Sequence, residues 1–307
     1  MRKSARTFLA IAAAAAVLSL FIRCDGERNS GTASGSGAST QMPAQSRWSE
    51  LETVLKARDD TETLAALAPV PRDIAGPDGT TLIHAAAQFN RVNALRWLLD
   101  HGMGVNELDG QSRTPLHAAA SADAPDALLV LVEHGADLGA KDRRGMLPIH
   151  HAADNDSPRA LVVLLEHGAD LNAAGGFFGS TALALASRKS NIRCMELLIQ
   201  HGADPCRPEG SAPRLAPVVY AAGSPRGIGA LRWYQDAKVD LHGFVLDGRT
   251  LLHDAAFTGA LESVALLLDA GLDPDSRDKD GDSARDYFLL RGDGAAWASV
   301  EALRRPR

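Results

Sequence analysis

Histidine and cysteine are the residues with which this chain could do chemistry, and it holds ten of the first and three of the second. Their spacing limits what that chemistry can be. His84, His117, His150 and His253 all occupy the fourth place of one recurring phrase, written most fully as Thr114-Pro115-Leu116-His117. His101, His134, His167 and His201 each stand just before a glycine at the end of an apolar run. There an imidazole favours the unpaired carbonyls that close a helix. Only His151 and His242 fall outside these two registers. Neither begins a CxxC, HExxH or comparable ligand spacing, so no metal or other cofactor is expected. The chain also lacks the GxSxG turn of a serine nucleophile and the GxxxxGK[ST] loop that cradles phosphate, and an enzymatic activity is not expected.

The elements that carry these residues repeat. Equivalents of the phrase begin at Thr81, Thr114, Leu147, Thr181, Ala216 and Thr250, with a degenerate copy at Ser283, so the period is 33 to 35 residues. Thr114 before Pro115 reads as a helix start, since a threonine hydroxyl can cap backbone N–H groups and proline at the first helical position loses no needed hydrogen bond. A second helix shows in Ala127 to Val132, Leu161 to Leu165 and Val264 to Leu268. These runs are apolar nearly all round, so they are buried between neighbours. Gly135, Gly168 and Gly271 then mark the helix ends, because glycine takes the left-handed conformation that satisfies the last carbonyls. Polar stretches such as Lys141-Asp142-Arg143-Arg144-Gly145 and Arg277-Asp278-Lys279-Asp280-Gly281 read as turns.

Two phrases in register at this period resemble the ankyrin repeat, with its TPLH-type helix start. The resemblance covers residues 48 to about 303. It implies an all-α repeat solenoid, a stack of helix-turn-helix units with β-hairpin fingers at one edge, in which the TPLH histidines hydrogen-bond within and between repeats. A single unit cannot bury its apolar face, so stacking creates the core and stability propagates between neighbours. The ankyrin domain is placed at 47–307: a helical N-terminal cap at 47–74, six repeats over about 76–275 and a closing cap over about 276–303. The fifth repeat is poor. It has Ala216 and Val219 where the phrase has Thr and His, and it carries Pro213, Pro217, Pro225, Gly223, Gly227 and Gly229.

The first 46 residues are of a different kind. Arg2, Lys3 and Arg6 precede the apolar stretch Thr7 to Ile22, the build of an export signal, so residues 1–26 are expected to be a signal peptide or a signal anchor. Cleavage near Gly26 and retention as an inner-membrane tether both remain open. Lipidation at Cys24 is disfavoured by Arg23, Ile22 and Phe21 before it. Residues 27–46, rich in Ser, Gly, Thr and Ala, are a flexible linker. The first 46 residues hold five basic and two acidic side chains, which leaves −9 for the rest of a chain whose formal net charge is −6. So acidic a domain gains nothing from displacing counterions on a polyanion, and nucleic acid is not an expected partner. Cys194, in a buried-type helix, and Cys206, in the loop after it, are placed too far apart for a disulfide.

What the resemblance implies about function is protein binding through the hairpin tips and the inner face of the first helices. By register the tips carry Gln111 and Arg113; Arg143, Arg144 and Met146; Phe177, Phe178 and Ser180; and Leu246, Asp247 and Arg249. The inner face adds His151, Leu185, Arg188, Lys189, Tyr220 and Phe257. Large apolar and Arg side chains where a fold does not require them suit a binding surface. The expected protein is thus a monomeric, non-enzymatic interaction module in the periplasm of a Gram-negative bacterium, soluble or tethered. Exported ankyrin proteins of this kind include immunity proteins that cap a toxic effector and stress-protection factors acting with a catalase.

Overall fold

The computed structural model describes residues 48–49, 51–53, 55–56, 74–76, 78–176, 179–206, 216–245 and 247–304, all within one compact unit spanning 42–307. The export segment and linker expected over residues 1–46 lie outside the described residues.

Each repeat opens with a short helix: α1 Leu82–Gln88, α3 Pro115–Ser121, α5 Pro148–Asp154, α7 Ala182–Lys189, α9 Pro217–Ala222 and α11 Leu251–Thr258. A second helix returns: α2 Val92–Asp100, α4 Pro125–Glu133, α6 Pro158–Glu166, α8 Ile192–Gln200, α10 Ile228–Asp236 and α12 Leu261–Asp269. First helices pack on first helices and second on second, repeat after repeat, and the pair α13 Ala284–Leu290 and α14 Ala296–Arg304 closes the stack. One continuous core results. The alanines of the opening phrase, among them Ala86, Ala119, Ala152 and Ala186, are wholly buried, which lets neighbouring first helices approach closely. Leu95, Leu128, Leu161 and Leu231 fill the space between second helices. At the N-terminal end Trp48, Leu51 and Leu55, from helical residues of the expected cap, join the same core.

Three devices set the register. Each TPLH imidazole works at both ends: the Leu147 and Thr114 amides donate to Nδ1 of His150 and His117 at 3.1 Å, and Nε2 of each ring meets a carbonyl of the next finger, Ala173 and Met146, at 3.0 Å. This revises the capping expected of threonine. Nδ1 of His117 draws both the Thr114 amide and the Thr114 hydroxyl, at 2.9 Å for the latter. The hydroxyl accepts from a helix amide instead at Thr181, where the fourth place of the phrase is Ala184 and not histidine. The second device is a cap across repeats. Asn90, Asp123 and Ser190, each at positive φ in the loop between helices, accept the amides of Ala127, Ala160 and Ala230 at the start of the next repeat's second helix, at 2.8, 2.8 and 3.0 Å. Third, Gly135, Gly168 and Gly271 close their helices at φ +83°, +87° and +91°, as their sequence positions predict.

The fingers are tight turns with little strand. Isolated antiparallel bridges join Ala75 to Thr81, Gly175 to Ser180 and Arg277 to Ser283. Adjacent fingers are tied by their backbones: the Gly110 amide donates to Asp78, Arg143 to Gln111 and Lys279 to Asp247, each at 2.8 Å. The fifth repeat keeps the pattern with substitutes. Lys238 takes the left-handed position at φ 59°, and Tyr234, fully buried, hydrogen-bonds Ser187 at 2.5 Å.

Candidate functional site

The third finger, Lys141 to Met146, is built around one carboxylate. Asp142 Oδ1 accepts the amides of Arg144 and Met146, both at 2.8 Å, and Oδ2 accepts Nε2–H of His151 at 2.9 Å. Burial alone would raise this carboxyl. The hydrogen bonds from His151 and from the Met146 and Arg144 amides outweigh it and hold the group at about 2. Across the ring, Nδ1 of His151 meets Ser121 Oγ at 3.0 Å, so the imidazole links α3, α5 and the finger. Its edge lies against the ring of His117, the centroids 5.2 Å apart. Burial, helped by the nearby His151, pushes His117 down to about 4, and burial does the same for His150. These two rings are therefore neutral at physiological pH.

Ser121, His151 and Asp142 form a hydrogen-bonded chain, and its ring-to-carboxylate end recurs elsewhere in the stack. Tyr287, at the same place in the closing cap, donates its hydroxyl to Asp278 at 2.6 Å, and Asp278 accepts the Asp280 and Asp282 amides as Asp142 does those of its own finger. A phenol in place of the imidazole keeps the anchor. Asp109 repeats the scheme with Arg113, whose amide and Nε both donate to it at 2.8 Å. The sequence carried a signal for this anchor, an aspartate five residues before three helix starts, at Asp109, Asp142 and Asp278.

The residues singled out for binding divide accordingly. Arg143 and Arg144 are exposed at the tip and Arg113 is half-buried beside them. Met146 and His151, expected at the surface, are each only 6% exposed, Met146 because finger four closes over it and His151 because it anchors Asp142. Ser180 and Leu185 are likewise buried. Arg188 and Lys189 are both engaged with Asp154, at 3.0 and 2.9 Å. Tyr220 is half-buried with its hydroxyl 2.8 Å from Ser180 Oγ. Phe257 is half-buried against the core, edge-on to Tyr287, beneath the Arg249 guanidinium. Phe177, Phe178 and Leu246 lie outside the described residues. Sequence reasoning passed over Lys141, exposed and without an ionic partner among the described residues; its place in a turn gave no sign that the finger's one acid would be turned inward.

The other candidates for chemistry are occupied. His242, left over in the sequence, places Nε2 3.1 Å from the Ala270 carbonyl. His101, His134, His167 and His201 each hold Nδ1 2.7 to 2.8 Å from the carbonyl four residues back, as helix-closing groups do. Cys194 is buried and Cys206 half-buried, both as free thiols, and burial pushes Cys194 up to about 12. Among the described residues no three His, Cys, Asp or Glu side chains are placed to share a metal ion.

Comparison with known proteins follows the same lines. Family models described as "Ankyrin repeats (3 copies)" match residues 54–142 and 138–209, and one described as "Ankyrin repeat" matches 247–279. The chain belongs to the ankyrin-repeat family. No curated protein matches it in sequence. Among solved structures, the ankyrin stack is similar to the human ASB11 ankyrin repeat domain, at 24% identity and a TM-score of 0.58 over 74% of this chain and 99% of that one. It is similar also to the ankyrin repeat domain of Bcl-3, described as a unique member of the IkappaB protein family, at 24% identity and 0.56 over 72% and 99%. These likenesses bear on the fold alone. The interval between the matched segments contains the fifth repeat, whose phrase departs most from the family pattern, yet its two helices stack with the rest.

Proposed function

We propose that this ankyrin protein is a non-enzymatic capture module of a bacterial cell envelope, which holds a protein partner against its finger tips and inner helices. Ankyrin repeats are a protein–protein interaction module. The observation that carries the reading to a place on this chain is the third finger. Its folding needs are met by Asp142, His151 and the backbone, while Lys141, Arg143 and Arg144 project from it, Arg144 with its Nε 3.9 Å from Asp142 and the other two in no ion pair among the described residues. Phe177 and Phe178, between Gly176 and Gly179 in the next finger, extend the same surface by register. Export rests on the basic, then apolar, N-terminal segment. No helix among the described residues is long and apolar enough to cross a membrane. Immunity towards a toxic effector and stress protection beside a catalase are two settings in which such a module would serve.

The test is crosslinked capture from the envelope fraction with the full chain, followed by mass spectrometry, compared with Phe177→Ala/Phe178→Ala. A partner recovered by the wild type and reduced at least tenfold by the variant supports the reading, an anchoring aromatic being worth about 2 kcal/mol or more. A partner retained in full by the variant and by charge reversal at Arg143 and Arg144 would remove the site. Export is checked by a reporter fused after Arg307, active only outside the cytoplasm; activity inside contradicts it.

A further inference from the structure

We infer that the partner presents an acidic segment, rich in Asp and Glu, to the second and third fingers; this rests on the protein-binding reading above and deepens it. Fingers two and three are laid side by side by their backbones, with the Arg143 amide on the Gln111 carbonyl at 2.8 Å, and finger four follows, its Gly176 over Met146. Over these fingers the two carboxylates, Asp109 and Asp142, are turned inward and their side chains are 1% and 4% exposed. What faces solvent is Lys141, Arg143 and Arg144, with Arg113 half-exposed at their edge; Arg113 and Arg144 approach the inward carboxylate of their own finger, at 2.7 and 3.9 Å, while Lys141 and Arg143 meet no acid among the described residues. The described part of finger four adds no charge of either sign. The result is a patch of one sign on a domain of net −9, the reverse of what a solvated, evenly mixed surface would show.

The chemistry of the patch favours a polypeptide. Guanidinium groups present paired N–H donors that match a carboxylate in bidentate fashion. Leu108, 60% exposed in the adjoining loop, and Gln111 offer an apolar and a neutral polar contact beside the cations, as a peptide with mixed side chains requires. A nucleic acid or an anionic bilayer is a broad polyanion, and the acidic remainder of the domain would meet it with repulsion. A short acidic segment can dock on the tips and keep clear of that remainder.

The experiment is selection of a displayed random dodecapeptide library on the full chain, followed by affinities of the enriched peptides as rhodamine conjugates. Enrichment of Asp and Glu is expected, with binding weakened at least tenfold by Arg143→Glu/Arg144→Glu and by raising salt from about 0.05 to about 0.5 M, which shortens the screening length about threefold. Arg277→Glu/Lys279→Glu, on the seventh finger, should leave affinity within twofold and serves as the control for a general charge effect. Neutral or basic peptides, no enrichment, equal loss from both variants, or preferential binding of a single-stranded oligonucleotide or of phosphatidylglycerol vesicles would each overturn the inference. Neutral or basic peptides lost on Phe177→Ala/Phe178→Ala would leave the capture module standing and remove only its acidic partner.

Discussion

The third and seventh fingers have the same inner architecture and opposite surfaces. In each an aspartate, Asp142 or Asp278, accepts two amides of its own turn and is anchored by a ring nine residues later, His151 or Tyr287. Outside, the seventh finger balances its charges: Lys279 reaches Asp247 at 3.4 Å, Arg277 lies 3.9 Å from Asp286, and Asp280 is exposed between them. The third finger exposes only cations; Arg144 comes within 3.9 Å of Asp142, but that carboxylate is buried, and Lys141 and Arg143 meet no acid among the described residues. The repeat therefore dictates the carboxylate and its anchor and leaves the tips to vary, and it is in the unbalanced tip that function is to be sought.

Acid should break the comparison most widely. His117 and His150 are neutral in the fold and held near 4 by burial, below the ordinary histidine value of 6.5. The unfolded chain thus binds more protons than the fold between those values, so their stabilising contribution is complete above about 6.5 and is lost as pH falls towards about 4. Urea unfolding across that range should show stability dropping by several kcal/mol, with fingers three and four, which those rings hold, opening first in hydrogen exchange. Flat stability from pH 7 to 4 would contradict the assignment of neutral rings. The Asp142 carboxylate, held at about 2, loses its contribution only in stronger acid, from about 3.8 downward.

Next in size is the shared anchor. Asp142→Ala leaves two finger amides and the His151 ring without an acceptor, and Asp278→Ala does the equivalent to its own finger and to Tyr287. Each should cost about 3 kcal/mol in denaturant unfolding. A harmless Asp278→Ala beside a costly Asp142→Ala would show that the two fingers are not equivalent inside. Gly168→Ala supplies a reference away from both: a Cβ there meets nothing within 4 Å, so only the left-handed backbone at φ +87° is strained, at about 1 kcal/mol. The smallest effect belongs to the tips. Arg143→Glu/Arg144→Glu should shift stability by under about 0.5 kcal/mol, the range of exposed substitutions, and a larger loss would make those arginines structural.

Much of the fold could be read in advance because a period of 33 to 35 residues states each helix start and each closing glycine several times over. The site was less legible, and the reason is physical. Register says which residues stand at a tip but not which way a side chain turns, and burial at a tip is decided by the neighbouring finger. Met146 sits under Gly176, whose Cβ would lie 3.3 Å from its Sδ, so a nominal tip residue became core. His151 was left unexplained because its partner, Asp142, belongs to a turn that composition describes only as polar. Arg188 and Lys189 stand on the inner face by register, and the fold brings Asp154 of the preceding repeat between them. Arg143 and Arg144 remained exposed, and Lys141 joined them.

If the contrast between fingers reflects function, the unbalanced fingers, and not the balanced ones, meet the partner. Hydrogen–deuterium exchange of the full chain, alone and with its captured partner, tests it most directly. Slowed exchange over residues 108–113 and 141–146 is expected on binding, with residues 277–282 unchanged; protection confined to 277–282, or to the second helices, would overturn this placement of the partner.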